Sequence, residues 1–142
     1  MLGGHAVAQC LFNEGVKHVF SVPGESYIAV VDGLVNHPEI KLITNRQEGC
    51  AAFMAEGYAK ATRQVGVCIV TRGPGATNAS VGVHTAYQDS TPMILFIGQV
   101  ARDQVEREAF QEIDFRRMFG PMAKWVAEID DARRIPELVS QA

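Results

Sequence analysis

The segment VGVCIVTRGPGATNAS, residues 65–80, contains the transition that decides the fold. Its first seven residues are a continuous apolar run, which is typical of a strand covered on both faces of a parallel sheet. The glycine-rich turn RGPG follows, and helical spacing begins at about residue 77. Many proteins bind a phosphate at such a strand–turn–helix junction, so the turn raises a question of function as well as of fold.

The rest of the chain repeats this alternation of extended and helical segments. Four further strands are predicted, at VKHVFSV (16–22), IKLIT (40–44), MILFIG (93–98) and AKWVAEI (123–129). Apolar spacing also predicts helices that end at Gly15, span 26–36, 48–63 and 77–88, and close the chain. This alternation predicts a single three-layer α/β domain, with a mainly parallel sheet of about five or six strands and helices on both faces.

Length and composition limit the function. The 142 residues make about one domain, and 47% hydrophobic with 20% charged residues is typical of a globular protein. The net charge of −3 gives no basic face, so nucleic acid is not an expected partner. No apolar run approaches the roughly 20 residues of a membrane helix, so a membrane is not expected either.

The cysteines and the end of the chain suggest where the protein works and how large it is. Cys10, Cys50 and Cys68 are widely spaced in apolar runs, which predicts buried, reduced thiols in a cytoplasmic protein. The last residues, 130–142, begin a helix that stops without a cap. We therefore expect residues 1–142 to be one domain cut from a longer protein.

Three loops follow the carboxyl ends of the predicted strands, where open parallel sheets bind their ligands. They are VPGES (22–26), TNRQE (44–48) and TRGPGATN (71–78). We expect the functional residues of the first two thirds of the chain to lie there.

The glycine loop does not fit a nucleotide. Asn78 takes the place of the third glycine of a dinucleotide motif, and no acidic residue closes the next strand. Pro74 removes a backbone donor that an anion cradle would use, and no G-K-[ST] of a P-loop occurs. A plain tight turn and a site for another cofactor both remain open.

Glu48 has two interpretations. With Asn45 as N-cap it approximates a capping box at the start of the helix 48–63. The apolar sequence that follows instead predicts a buried helix start, where a carboxyl group is a candidate acid or base. The residues alone favour neither.

Four segments together resemble the N-terminal, pyrimidine-binding domain of thiamine-diphosphate-dependent enzymes of the acetohydroxyacid (acetolactate) synthase and pyruvate oxidase group. They are VFSVPGE (19–25), RQEGCAAFMAEGYAKAT (46–62), TRGPGATNASVGVHTAYQDSTPMILFIGQV (71–100) and EAFQEID (108–114). The resemblance covers nearly the whole chain, so it assigns residues 1–142 to one such domain. It also implies that the glycine loop borders the aminopyrimidine of the cofactor and not a phosphate.

The resemblance implies a role for each matching residue. Glu48 matches the catalytic glutamate, whose hydrogen bond to the pyrimidine ring prepares thiamine diphosphate to react with a 2-oxo acid. Around the cofactor the family places the residues matched by Pro23, Gly24, Pro74, Asn78 and Gln111. On the substrate side it places those matched by Phe110 and Lys124.

Three positions depart from the family pattern. Gln47 stands where histidine is frequent, Arg72 where serine is common, and Glu25 where synthases have a second glycine. These departures suggest a sister group rather than a true branched-chain acetohydroxyacid synthase, so the resemblance does not identify the acyl acceptor.

The resemblance also implies what lies outside these residues. The family binds Mg²⁺ and the diphosphate in another domain with a GDG motif, which does not occur here, so no metal ligand is expected in this chain. The active site would form between subunits of a homodimer or tetramer. Apolar surface along 48–63 and 77–96 is therefore expected to be exposed or used for self-association.

Three functions compete at this stage. The leading one is the first domain of a 2-oxo acid decarboxylase or carboligase resembling acetolactate synthase, inactive alone. The alternative is a non-catalytic, free-standing dimerisation module of the same fold. A nucleotide-binding regulatory domain is disfavoured by Asn78 and by the missing acidic residue.

Overall fold

The computed structural model describes residues 2–142 and contains one sheet of four parallel strands. The strands are β1 (His18–Ser21), β2 (Lys41–Thr44), β3 (Gly66–Val70) and β4 (Met93–Ile97), in the spatial order β2-β1-β3-β4. Phe20 of β1 lies opposite Ile43 of β2 and Cys68 of β3. Because all strands run in the same direction, their carboxyl ends meet at one edge of the sheet, which is where ligands are expected.

Six α-helices connect and cover the strands. They are α1 (Gly3–Asn13), α2 (Ile28–Leu34), α3 (Glu48–Thr62), α4 (Pro74–Gln88), α5 (Phe115–Phe119) and α6 (Ile135–Gln141). Short 3₁₀ turns, among them Glu25–Tyr27, lie between these elements. None of the helices in residues 2–142 is long and apolar enough to cross a membrane.

Two apolar clusters, one on each face of the sheet, hold the three layers together. One combines Val19, Val67 and Ile69 with residues of α1, α2 and α6. The other combines Phe20, Cys68 and Val70 with alanines of α3 and α4 and with Phe119 of α5. All five residues of β3 are buried, which confirms a strand covered on both faces for residues 66–70 of the predicted run 65–71.

The helix boundaries follow local backbone chemistry. The turn after α1 places Gly15 at φ 77°, and α3 ends at Arg63, which has the left-handed φ of 61°. Helix α4 begins at Pro74, three residues before the predicted start at residue 77. Proline suits the first turn of a helix because that turn does not use its missing N–H group.

The sheet has fewer strands than the five or six predicted, because the segment 123–129 is not a strand. No residue of that segment pairs with a strand within residues 2–142. Val126 packs against the cluster under α3 and α4, whereas Trp125 and Ile129 are partly exposed. The apolar residues that suggested a strand are thus buried one at a time against helices, without a hydrogen-bonded ladder.

The prediction of three buried thiols is only partly right. Cys68 is buried in β3 and Cys10 is half-buried, but Cys50 is exposed on α3. All three are free thiols. The apolar sequence around Cys50 misled the prediction because the exposed side of α3 is itself apolar, with Phe53 and Met54 each 43% exposed.

Candidate active site

The loops after β1, β3 and β4 meet closely at the carboxyl edge of the sheet. The Ser26 and Thr71 hydroxyl oxygens are 2.8 Å apart. A Cβ atom at Gly24 would lie 2.5 Å from Thr71 Cβ, and one at Gly98 would lie 2.1 Å from Ser26 Oγ. Only residues without a side chain permit this approach, so Gly24 has a steric reason to be glycine.

Glu48 is the first residue of α3, and it is not the partner of an Asn45 cap. The N-cap is Gln47, whose Oε1 accepts a hydrogen bond from the backbone N–H of Cys50 at 2.8 Å. Asn45 instead donates to the carbonyl of Ile43 at 3.2 Å. The capping-box interpretation is therefore wrong, and the Glu48 carboxylate, half-buried at a helix N-terminus, is left for another role.

The two oxygens of Glu48 have different surroundings. Oε2 accepts a hydrogen bond from Nδ2 of Asn78 at 3.0 Å, which joins the start of α3 to the first turns of α4. Oε1 accepts no hydrogen bond from any residue in the range 2–142. Gly75 lies beside it, because a Cβ there would be 3.5 Å from Oε1. One oxygen is thus fixed and the other is available to a ligand.

Two buried groups lie within the electrostatic influence of Glu48. Burial raises the pKa of the Cys68 thiol to about 12, and the Glu48 charge adds to that effect. Burial also raises the pKa of Tyr27, with a smaller contribution from Glu48. The Tyr27 hydroxyl donates to the carbonyl of Val22 in the loop after β1. Both groups therefore stay neutral at pH 7.

A cavity of about 450 Å³ lies beside Asn78. Its lining residues, which define the Gln111 cavity, are Gly73, Pro74, Thr77, Asn78, Gln111, Glu112 and Ile113. Gly73 has φ 60°, and a Cβ there would lie 2.7 Å from Gln111 Cβ. The fold thus brings together three predicted cofactor residues, Pro74, Asn78 and Gln111, and Asn78 connects them to Glu48.

The other predicted residues are less tightly grouped. Pro23 is exposed in the loop after β1. Phe110 is 75% exposed and lines a second cavity next to the first. Lys124 is exposed, lines neither cavity, and forms no ion pair with a described residue. The substrate role of Lys124 stays a prediction.

The sequence did not predict that Glu25 and Arg72, two of the positions that depart from the family pattern, contact each other. Nη2 of Arg72 donates to Oε1 of Glu25 at 2.9 Å, and Nε donates to the carbonyl of Phe110 at 3.1 Å. Arg72 therefore joins the loops after β1 and β3 to the segment before α5. The signal in the sequence was an acidic and a basic residue after strands whose carboxyl ends share one edge.

No cluster of three or more potential metal-ligating side chains occurs within residues 2–142.

Comparison with known proteins also indicates a domain that binds a cofactor. The family model described as "Thiamine pyrophosphate enzyme, N-terminal TPP binding domain" matches residues 1–118. The chain is 39% identical over 140 residues to the acetolactate synthase large subunit of Buchnera aphidicola subsp. Schizaphis graminum, covering 99% of this chain and 24% of that protein. It is 42% identical over 142 residues to a probable acetolactate synthase large subunit of Methanococcus aeolicus, covering 100% of this chain and 24% of that protein.

A third relative is the acetolactate synthase isozyme 3 large subunit of Escherichia coli K12, 39% identical over 140 residues, with 99% of this chain and 24% of that protein covered. The chain spans about a quarter of the length of these curated relatives.

Proposed function

The chain belongs to the family of thiamine pyrophosphate enzymes, as their N-terminal TPP binding domain, and we propose that it works within an enzyme resembling acetolactate synthase. In that enzyme it would bind the aminopyrimidine of thiamine diphosphate, another name for thiamine pyrophosphate. The parent polypeptide would decarboxylate a 2-oxo acid and transfer the remaining acyl group to an acceptor. The identity of the relatives, 39–42%, supports this choice of reaction class.

The observation that carries the proposal is the asymmetric environment of the Glu48 carboxylate. Asn78 fixes one oxygen at 3.0 Å, while the other accepts no hydrogen bond from a described residue. An aminopyrimidine has ring nitrogens and an amino group that such a carboxyl group can pair with. Asn78, which fixes that carboxylate, also lines the Gln111 cavity of about 450 Å³, so open space for a flat ring lies beside the Glu48–Asn78 pair. The residues present therefore fit this cofactor.

Each residue would have a limited task. Glu48 would hold a proton between Oε1 and a ring nitrogen, and Asn78 would keep that carboxyl group in place. Pro23, Gly24, Pro74 and Gln111 would surround the ring and exclude water, which strengthens a single hydrogen bond. The bound cofactor would supply the electron-accepting centre that a decarboxylation needs.

Further elements of the proposal concern the substrate side and the rest of the enzyme. Phe110 and Lys124 would approach the 2-oxo acid. Mg²⁺ and the diphosphate would be held by the part of the parent enzyme that these residues do not cover. The enzyme would be a cytoplasmic homodimer or homotetramer, with the active site between subunits.

Substitution of Glu48 by Gln in the longest natural polypeptide containing this chain tests the proposal. We expect the rate of 2-oxo acid decarboxylation to fall about 10²–10⁴-fold, the range for loss of a proton-transferring side chain. Glu39→Gln is the matched control, because Glu39 is an exposed carboxylate before β2, at the other edge of the sheet. Equal, measurable rates for both variants would reject the role of Glu48, whereas no decarboxylation by the wild type would favour the non-catalytic dimerisation module.

A further inference from the structure

Arg72 is a half-buried cation in the loop after β3. Its side chain is 14% exposed, although it lies in the turn directly after β3. A guanidinium group in such surroundings requires partners for its N–H groups, since burying a charge without partners is costly. The partners that the fold supplies account for only part of its hydrogen-bonding capacity.

A guanidinium group has five N–H donors, one on Nε and two on each terminal nitrogen. In this structure Nε donates to the Phe110 carbonyl and Nη2 donates once to Glu25. Three donors, two of them on Nη1, find no acceptor among residues 2–142. Two adjacent terminal nitrogens with free donors form the fork that binds a carboxylate.

Arg72 lines a cavity of about 260 Å³, which we call the Arg72 cavity. The other lining residues are Val100, Ala101, Gln104, Ala109 and Phe110. Arg72 is the one charged residue among the described residues that line it. The volume is below the roughly 300–1,000 Å³ typical of sites for drug-sized ligands, so a small acid fits better than a nucleotide.

The ion pair with Glu25 does not prevent this use of Arg72. The Glu25 side chain is 74% exposed, so it can rotate into water and exchange its hydrogen bond for solvent. The guanidinium group of Arg72 cannot move away as easily, because its Nε donates a hydrogen bond to the Phe110 carbonyl. An incoming carboxylate would therefore meet a fixed guanidinium group with a displaceable partner.

We propose that Arg72 binds the carboxylate of a 2-oxo acid in the Arg72 cavity. The identification of the acid as a 2-oxo acid rests on the proposed function. The position suits a substrate, because Phe110 of the Arg72 cavity is followed in the chain by Gln111 of the Gln111 cavity, and Arg72 is followed by Gly73. The carboxylate at Arg72 would leave the carbonyl end of the acid free to reach the neighbouring cavity.

Equilibrium titration of the full natural polypeptide with two probes tests this. The probes are pyruvate and pyruvamide, which replaces the carboxylate by a neutral amide. In calorimetry we expect Arg72→Met to weaken the binding of pyruvate about 10-fold or more, as for a lost hydrogen-bonded charge pair, and that of pyruvamide less than about 2-fold. Arg72→Lys keeps the charge and should fall between Arg72→Met and the wild type.

Glu25→Gln is the control that separates binding from loop support. It breaks the same ion pair as Arg72→Met but removes the competing carboxylate, so pyruvate should bind as tightly as to the wild type or more tightly. Equal losses for both probes, or a loss in Glu25→Gln as large as in Arg72→Met, would mean that Arg72 only fastens the loops. Absence of pyruvate binding to the wild type at millimolar concentration would also overturn the proposal.

These measurements need no turnover and are independent of the Glu48 test. If Arg72→Met does not selectively weaken pyruvate binding while Glu48→Gln is inactive, the carboxylate site alone is rejected. Pyruvate-selective weakening by Arg72→Met in a natural polypeptide that does not decarboxylate 2-oxo acids would reject the proposed function alone.

Discussion

Gly73 shows how one residue controls the shape of the candidate site. Its φ of 60° lies in the region that side chains avoid, and a Cβ there would lie 2.8 Å from the Gln111 carbonyl oxygen. Gly73→Ala should therefore lower the free energy of unfolding by about 1–3 kcal/mol, the usual cost of such backbone strain. It should also push residue 111 away and weaken thiamine diphosphate binding. Denaturant titration and calorimetry measure the two effects.

Gly57→Ala is the matched control for this prediction. Gly57 lies inside α3 with nothing within 4 Å of an added Cβ, and its φ is not positive. Alanine there should raise the free energy of unfolding by roughly 0.5–1 kcal/mol through helix propensity. A Gly73→Ala protein as stable as Gly57→Ala would show that the left-handed turn is not required.

At the scale of single residues, the sequence predicts which residues lie at the site better than it predicts which residues they contact. Glu48 and Asn78 could both be expected at the carboxyl edge, because each follows a predicted strand. Their 3.0 Å contact depends on how closely α3 and α4 pack, which no pattern specifies. Glu25 and Arg72 looked like unrelated departures because 47 positions separate them, and loop shape alone brings them together.

The burial of the central strand β3 predicts how the three cysteines differ in reactivity. Burial raises the pKa of Cys68 to about 12, so almost no thiolate forms at pH 8, and the strand is covered on both faces. Cys50 is exposed and should react first with an aromatic disulfide reagent, then Cys10, which is half-buried. Cys68 should react only when the domain unfolds. Rates measured with single-cysteine variants decide the order, and fast labelling of native Cys68 would contradict it.

The same raised pKa predicts an alkaline loss of stability. The unfolded thiol titrates near 9.0 and the folded one near 12, so above pH 9 the unfolded state binds fewer protons. The stabilisation is therefore complete below pH 9 and is lost as pH rises, by at most about 1.4 kcal/mol per pH unit. Denaturant titrations of wild type and Cys68→Ala from pH 8 to 10.5 measure it. Cys68→Ala should be less stable at pH 8 but should lose less with pH, and parallel curves would contradict the prediction.

Elements with continuous or periodic apolar sequence were predictable, and the misplaced ones have physical explanations. The four strands of the sheet and five of the six helices follow from the β–α alternation, whereas α5 was not predicted. The segment 123–129 has strand-like composition, yet Val126 reaches the core without a neighbouring strand to pair with. An apolar composition indicates that a segment will be buried against an apolar surface. Strand pairing depends in addition on whether a sheet edge lies nearby.

For the whole molecule, the most informative surface is an apolar area that spans two helices. The α3–α4 patch consists of Cys50, Phe53, Met54 and Gly57 of α3 and Val81 of α4, all exposed. Val81 adjoins the start of α3, because a Cβ at Gly49 would lie 3.1 Å from its Cγ1. The exposed apolar surface expected along 48–63 and 77–96 is thus present, and it begins next to Glu48. A second subunit docked there would also cover the candidate site.

This arrangement predicts that one substitution in the patch controls assembly. Phe53→Glu in the full natural polypeptide should raise the dimer dissociation constant by about 10²-fold, because a charge would be buried without a partner. Val35→Glu is the control, since Val35 is more exposed, at 76%, and lies outside the patch, just after α2. Sedimentation equilibrium measures both, and equal dissociation constants would exclude the patch as the subunit interface. If the site needs both subunits, decarboxylation by Phe53→Glu should recover as its concentration is raised, whereas the loss in Glu48→Gln should persist at every concentration.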